Sequence, residues 1–428
     1  MKYISEKVKR GGIIAGIAVL VVSQYGVAYA SSRTLDVKSY QQTQLEEKYS
    51  GWYDDGEVKY AVNIFSDEWD NVKTKDDVVE ISQIPETLVK NLSTKELLKL
   101  VVESPLVPNI YIYGNSLESL ISVADEFNGL RELLQREDCL EVVTEAYKNI
   151  EIVKPYRPDL EALETEQDVV DYINRALKDD ELLKQDLEEN ACALQCDLME
   201  LIMLYFATSD NVVELLEIVQ DKAEDKKESI VFDYDDPDKF TAAMTEDMPF
   251  VESIQTYANG EGRVELMPYT DEIKIRVIID ENARTNSRAT AEQAVAKYKE
   301  DVEIVELGKP SYNCHSYAWL QHRFPDKYRT YWLNIIPDEL INTYYTKVDT
   351  PTKEGAIVYT HGHSQIVVNP NKIKLEHGKP KPNPVVISKW ISGPIVKCDM
   401  DKGAFAMENE EVEACLLYTS PSPRDLST

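Results

Sequence analysis

Pro310-Ser311-Tyr312-Asn313-Cys314-His315-Ser316-Tyr317-Ala318-Trp319 sets a cysteine at what reads as the first turn of a helix. Pro310 and Ser311 sit poorly inside a helix, Asn313 is a good N-cap, and Tyr317, Ala318 and Leu320 follow at roughly helical spacing. Cys314 then lies at the positive end of the helix macrodipole. Free backbone N–H groups and that partial charge favour a thiolate, drawing a cysteine down from its ordinary value of about 8.5. A nucleophile also needs a base. Downstream, Gly355-Ala-Ile-Val-Tyr-Thr-His-Gly-His363-Ser-Gln-Ile-Val-Val368 reads as two short strands around a turn, with His363 opening the second.

A cysteine at a helix start, a strand of the type Gly-x-x-Val-x-Tyr, then Gly-His and an apolar strand resembles the NlpC-type and CHAP-type cysteine peptidases and amidases of bacterial cell walls. The segment YNCHSYAW also resembles a motif of secreted Firmicutes proteins. The resemblance covers about residues 290 to 400. Those families usually have Gly-Asp where this chain has Gly355-Ala356, and often Asp or Gln before the cysteine, where this chain has Asn313. The resemblance implies a papain-like arrangement, a helix packed on an antiparallel sheet that supplies the imidazole. Cys314 would attack a carbonyl, His363 would take its proton and return it to the leaving amine, and the Cys314 N–H would help hold the oxyanion. The third, orienting residue should lie on a strand after His363, where Ser388 is the best-placed polar side chain and Asn369 or Asn383 are fallbacks. Cys314 sulfur is then expected within hydrogen-bond reach of His363, closer than to His361 or His377.

Two alternatives stand beside this reading. A lone cysteine is commonly a small core hydrophobe. Cys314, His315, His361 and His363 also make a donor set that zinc accepts, although Cys314 and His315, adjacent on one helix, point about 100° apart.

Met1 to Ala30 reads as a targeting segment: Lys2, Lys7, Lys9 and Arg10 precede an apolar run from Ile13 to Val22, and Ala28-Tyr29-Ala30 is a small-x-small cleavage site. Export is expected, to the exterior or the cell wall, with no stable membrane span after cleavage, because the apolar run is shorter than the roughly 20 residues a span needs; an uncleaved anchor is the alternative. At the other end, Cys415-Leu-Leu-Tyr-Thr-Ser-Pro-Ser-Pro-Arg-Asp425 resembles a translated sequencing adaptor and is expected to lie outside the fold. Setting Cys415 aside leaves Cys139, Cys192, Cys196, Cys314 and Cys398, an odd set that does not suggest a disulfide scaffold.

The formal net charge is −31, yet residues 307–405 hold 13 Lys plus Arg against 8 Asp plus Glu. A locally basic C-terminal region on an acidic remainder suits an anionic polymer such as peptidoglycan or teichoic acid, whereas the acidic bulk argues against nucleic acid. Solubility is an equally good reason for the acidity.

The expected fold class is α+β multidomain. Residues 31–83 read as a polar linker and lead-in. Residues 84–229 read as an antiparallel helical array, with capping boxes at Ser93-Thr-Lys-Glu96 and Thr165-Glu-Gln-Asp168, an imitation at Asn115, breaks at Pro105, Pro108, Pro155 and Pro158, and acidic faces taken as solvated surface. Residues 230–289 change period: Asp233 to Asp238 is an acidic loop, a weak calcium candidate, and Ile273, Ile275, Val277 and Ile279 alternate as a half-buried strand does. Residues 290–405 are the hydrolase-like domain, opening on a helix to about Glu300, and 406–428 the tail. The sequence therefore carries two functional expectations. One is a secreted cysteine amidase or endopeptidase acting on peptidoglycan peptide, needing no cofactor or metal. The other is a surface binding or scaffold protein whose papain-like domain is inactive.

Overall fold

The computed structural model describes residues 45–428 except 73–74, 114–116, 152–159, 161, 224–262, 271–272, 280–284, 322–323, 326, 334–335, 349–350, 352, 361, 377, 407–413 and 419–428. The targeting segment, residues 31–44, the Asn115 cap, Pro155, Pro158, the Asp233–Asp238 loop, His361 and His377 fall outside the described residues. The chain forms two compact units, Met1–Glu57 and Val58–Thr428. The first holds a short 3-10 turn, Ser50–Trp52, and the two-residue strand Tyr53–Asp54. The elements that follow belong to the second. No helix among the described residues is long and apolar enough to cross a membrane.

The helical part runs α1 Lys75–Ile81, α2 Glu86–Asn91, α3 Thr94–Val102, α4 Asn109–Tyr113, α5 Leu117–Glu126, α6 Asn128–Leu133, α7 Cys139–Asn149, α8 Glu166–Ala176, α9 Asp180–Tyr205 and α10 Val212–Ala223. Both capping boxes form. Ser93 accepts the Glu96 N–H while Glu96 accepts the Ser93 N–H, and Thr165 and Asp168 do the same at α8. The acidic residues of α9 are not all solvated, as the sequence led us to expect. Asp186, Asp197 and Glu200 are buried, each accepting a tyrosine hydroxyl: Tyr172 at 2.7 Å, Tyr111 at 2.8 Å and Tyr147 at 2.7 Å. Arg288 adds an ion pair to Asp186 and another to buried Glu292. A buried carboxylate persists only with such partners, and no helical periodicity in the sequence reveals a tyrosine from another helix.

The period change places a strand where expected: β1 Arg263–Pro268 pairs antiparallel with β2 Lys274–Ile279, and β4 Tyr331–Trp332 completes a three-stranded sheet. Helix α11, Arg288–Val295, is capped by Ser287, which accepts the Thr290 N–H. A seven-stranded antiparallel sheet follows. It consists of β3 Val302–Glu306, β5 Tyr345–Val348, β6 Ile357–Tyr359, β7 Ser364–Asn369, β10 Val385–Lys389, β11 Ile395–Asp399 and β12 Ala414–Tyr418, in the spatial order β3-β11-β10-β7-β6-β12-β5. A separate hairpin, β8 Ile373–Glu376 and β9 Lys379–Pro382, leaves the sheet between β7 and β10. Helix α12, Cys314–Leu320, packs on β7 and β10; α13 is Asp338–Tyr344. Helices and antiparallel sheets together make the fold α+β. The tail expected outside the fold contributes β12, in which Cys415 and Leu416 pair with both β6 and β5 and Leu417 pairs with β5.

The sequence suggested separate helical and hydrolase-like domains; the two pack within one unit. Asn174 of α8 donates to Ile304 O at 2.7 Å and accepts from Ile304 N at 2.8 Å, completing both backbone groups on the outer side of edge strand β3. Glu166 accepts from Leu307 N, and Ser392 N donates to Ile112 O. Asn174→Ala leaves two half-buried backbone groups without their side-chain partner. The expected loss is about 1–3 kcal/mol, read as a lower urea midpoint in one cooperative transition; an unchanged midpoint contradicts this docking.

Candidate functional site

Asn313 builds the start of α12. Its Oδ1 accepts the Ser316 N–H at 3.0 Å as an N-cap, while its Nδ2 donates to Leu333 O at 2.9 Å, tying the helix to the segment after β4. The Ser316 hydroxyl donates to Tyr331 O. Cys314 is thereby fixed in the first turn, as the sequence implied, but it is only 2% exposed. Burial raises its thiol to about 11, against the smaller downward pull of the backbone N–H groups of Ser364, His315 and Cys314 itself and of the Lys389 charge. Desolvation outweighs the helix terminus.

The strand alternation of β7 decides what surrounds the thiol. Thr360 and His363 exchange backbone hydrogen bonds around a two-residue turn, and the ladder continues through Tyr359 opposite Ser364 and Ile357 opposite Ile366. The Ser364 hydroxyl meets His315 Nδ1 at 2.7 Å and accepts Trp319 Nε1–H at 2.9 Å, so Ser364 faces α12. Ile357 and Ile366 lie in the same core cluster as Trp319 and Tyr312. His363 and Gln365, one position out of phase, face the other side. There the His363 ring stacks on Phe405, 4.2 Å between centroids and 12° from parallel, and Gln365 Nε2 donates to Phe405 O at 2.7 Å. On β10, Ile387 pairs with Ile366, which puts Lys389 on the α12 side and Ser388 on the His363 side.

The structure therefore does not bring together the three residues proposed from the sequence. Cys314 lies on one face of the sheet, and His363 and Ser388 lie on the other. The turn at Gly362 was legible, but not which face the first residue after it takes, and a one-residue phase difference reverses the side. Asn369, a fallback orienter, is exposed at the far end of β7; Asn383 donates to Asp401 at 2.7 Å. Among the described residues no three His, Cys, Asp or Glu side chains form a group able to hold a metal ion.

The neighbours of Cys314 that sequence reasoning missed are Ser364 and Lys389; His315, weighed there as a zinc ligand, instead meets the Ser364 hydroxyl. Lys389 is fully buried. Its Nζ donates to Ile391 O at 2.9 Å and to Gly393 O, and lies 5.0 Å from the Tyr312 ring centre. Burial holds its amine well below the usual lysine value, while Cys314 and Glu306 draw it back up. The carbonyls come from the tight turn after β10, where Ile391 takes φ 45°. A lysine at a strand end reads as surface in a sequence, and nothing local announces that a turn folds over it.

No family model matches the chain, and neither the curated proteins nor the solved structures give a match.

Two outcomes follow from these environments. Iodoacetamide at about pH 8 should label half-buried Cys192 well before Cys314, whose labelling climbs with pH toward about 11; preferential labelling of Cys314 near pH 6 contradicts this. Burial, with a smaller contribution from His315, holds His363 well below the ordinary imidazole value. The unfolded chain then takes the proton first, so this contribution to stability is fully present above about pH 6.5 and is lost as pH falls. The drop in urea midpoint from about pH 7.5 to about pH 5.5 should be smaller in His363→Phe than in the parent chain, and an identical drop would count against a neutral buried imidazole.

Proposed function

We propose that the chain is an exported, wall-associated binding or scaffold protein whose hydrolase-like half does not run Cys–His chemistry. The observation that carries this reading is the sidedness of the sheet: Cys314 and its helix on one face, His363 and Ser388 on the other, with the thiol pushed up to about 11 by burial. A general base must reach the proton it removes, directly or through one water, and an imidazole across a sheet does not. The wall as partner is supported by charge. Residues 307–405 are net basic in a chain of net charge −31, and the β8–β9 hairpin carries Lys379 and Lys381 beside Ile373 and Leu375, which are 61% and 75% exposed, while Lys372 and Lys374 are ion-paired to Asp399 and Asp401.

One observation favours a second reading, a cysteine amidase or endopeptidase on wall peptide. Cys314 sits at a helix start, where backbone N–H groups and the nearby Lys389 charge both pull its thiol down against burial. A lysine whose amine is held low can serve as a base. Under that reading Lys389, not His363, assists the thiol, and an opening of the α12 face must admit substrate.

The two are separated by incubating the protein with a muramyl peptide and with purified peptidoglycan. Binding to peptidoglycan without release of peptide, identical in Cys314→Ala, is the expected result. Turnover that Cys314→Ala lowers by about 10²-fold or more overturns it, and loss of that turnover in Lys389→Met but not in His363→Ala establishes the second reading.

A further inference from the structure

On the sheet face away from α12, four polar atoms of three side chains have no hydrogen-bond partner on the protein: His363 Nδ1 and Nε2, Gln365 Oε1 and Ser388 Oγ. All three residues are deeply buried, at 3%, 2% and 1% exposure. They are neighbours by strand geometry. His363, immediately before β7, and Gln365 are two apart along extended chain, about 7 Å. The pairing of Ile387 with Ile366 in an antiparallel ladder sets Ser388 opposite Gln365, with Cβ atoms about 5 Å apart. Phe405 closes the group from above, its ring on His363 and its carbonyl on Gln365 Nε2.

A single buried polar atom without a partner is costly, and four on one face of the sheet call for partners that the protein's own side chains do not supply. The donor and acceptor inventory says what that partner is. A neutral imidazole offers one donor and one acceptor, a hydroxyl one donor and two lone pairs, and the amide oxygen only lone pairs. The set carries no charge, so it suits neither a hard cation, which takes carboxylates, nor an anion. It needs a small neutral molecule that both donates and accepts, and water does so with two to four partners of this kind.

We propose that His363, Gln365 and Ser388 form a binding site for internal water that bridges β7 to β10 and seats the loop carrying Phe405 on the sheet. The site does not depend on the functional reading above, since it is built on the face that Cys314 does not reach.

The sign of a mutational effect tests it. If bound water links the three groups, Ser388→Ala strands its neighbours and lowers Tm by about 2 °C or more, and the loss from Ser388→Ala with His363→Phe is smaller than the sum of the two single losses, because they share one network. If the groups are dry, Ser388→Ala removes an unpaired hydroxyl, and Tm stays level or rises; that result overturns the proposal, as do additive losses. A measurement on the unaltered chain keeps the test independent of folding defects. Magnetisation transfer from water to the His363 ring proton or the Ser388 hydroxyl should appear with the sign of a long-lived water, and its absence overturns the site.

Discussion

Everything around Cys314 depends on the phase of one strand. Side chains of β7 alternate, and the hydrogen bonds of Ser364 to His315 and Trp319 lock Ser364 toward α12. Once that phase is set, Ile366, Ile387 and Lys389 must join Cys314, while His363, Gln365 and Ser388 must face Phe405. Of the first set, Ile366 belongs to the core cluster with Trp319, Leu320 and Tyr312, and Ile387 packs against it. Slipping the strand by one residue would bury His363 in that cluster and expel Ile366 from it, so the core itself enforces the sidedness.

The second determinant is desolvation. A helix start draws a thiol down because unsatisfied N–H groups and the macrodipole stabilise its anion, by amounts worth about 0.3–1 kcal/mol at exposed ends. Cys314 has that position but almost no solvent, and burial wins. Lys389 shows the same balance with the opposite sign: its charged form is disfavoured by burial, and the two carbonyls of the turn after β10 and the Tyr312 face replace only part of its hydration. A thiol and an amine that each prefer their neutral forms coexist in a core without the cost of a buried ion pair.

Much of this architecture was legible in the sequence. The Asn313 cap, the boxes at Ser93 and Thr165, the alternating strand from Ile273 to Ile279 and the two strands around 357–359 and 364–369 all rest on local patterns of period 3.6 or 2, and those patterns survive folding. What was not legible is long-range. The partners of Asp186, Asp197 and Glu200 are tyrosines 14 to 86 residues away in the chain. The docking of α8 on β3 spans 130 residues. The burial of Lys389 depends on a turn that places a positive φ on Ile391, a residue for which no propensity predicts one. The site was misread for a similar reason: residue types and order were visible, whereas the face of the sheet each residue takes is a tertiary fact.

The most direct test is the titration of the Cys314 thiol, read as thiolate absorbance near 240 nm in the difference between the protein and Cys314→Ser, with and without His363→Phe. The account predicts a midpoint near 11 that His363→Phe leaves unchanged, because the imidazole lies across the sheet. A midpoint near neutral pH that moves by about one unit or more on His363→Phe would mean that thiol and imidazole share a face and form a coupled pair, and it would contradict the account.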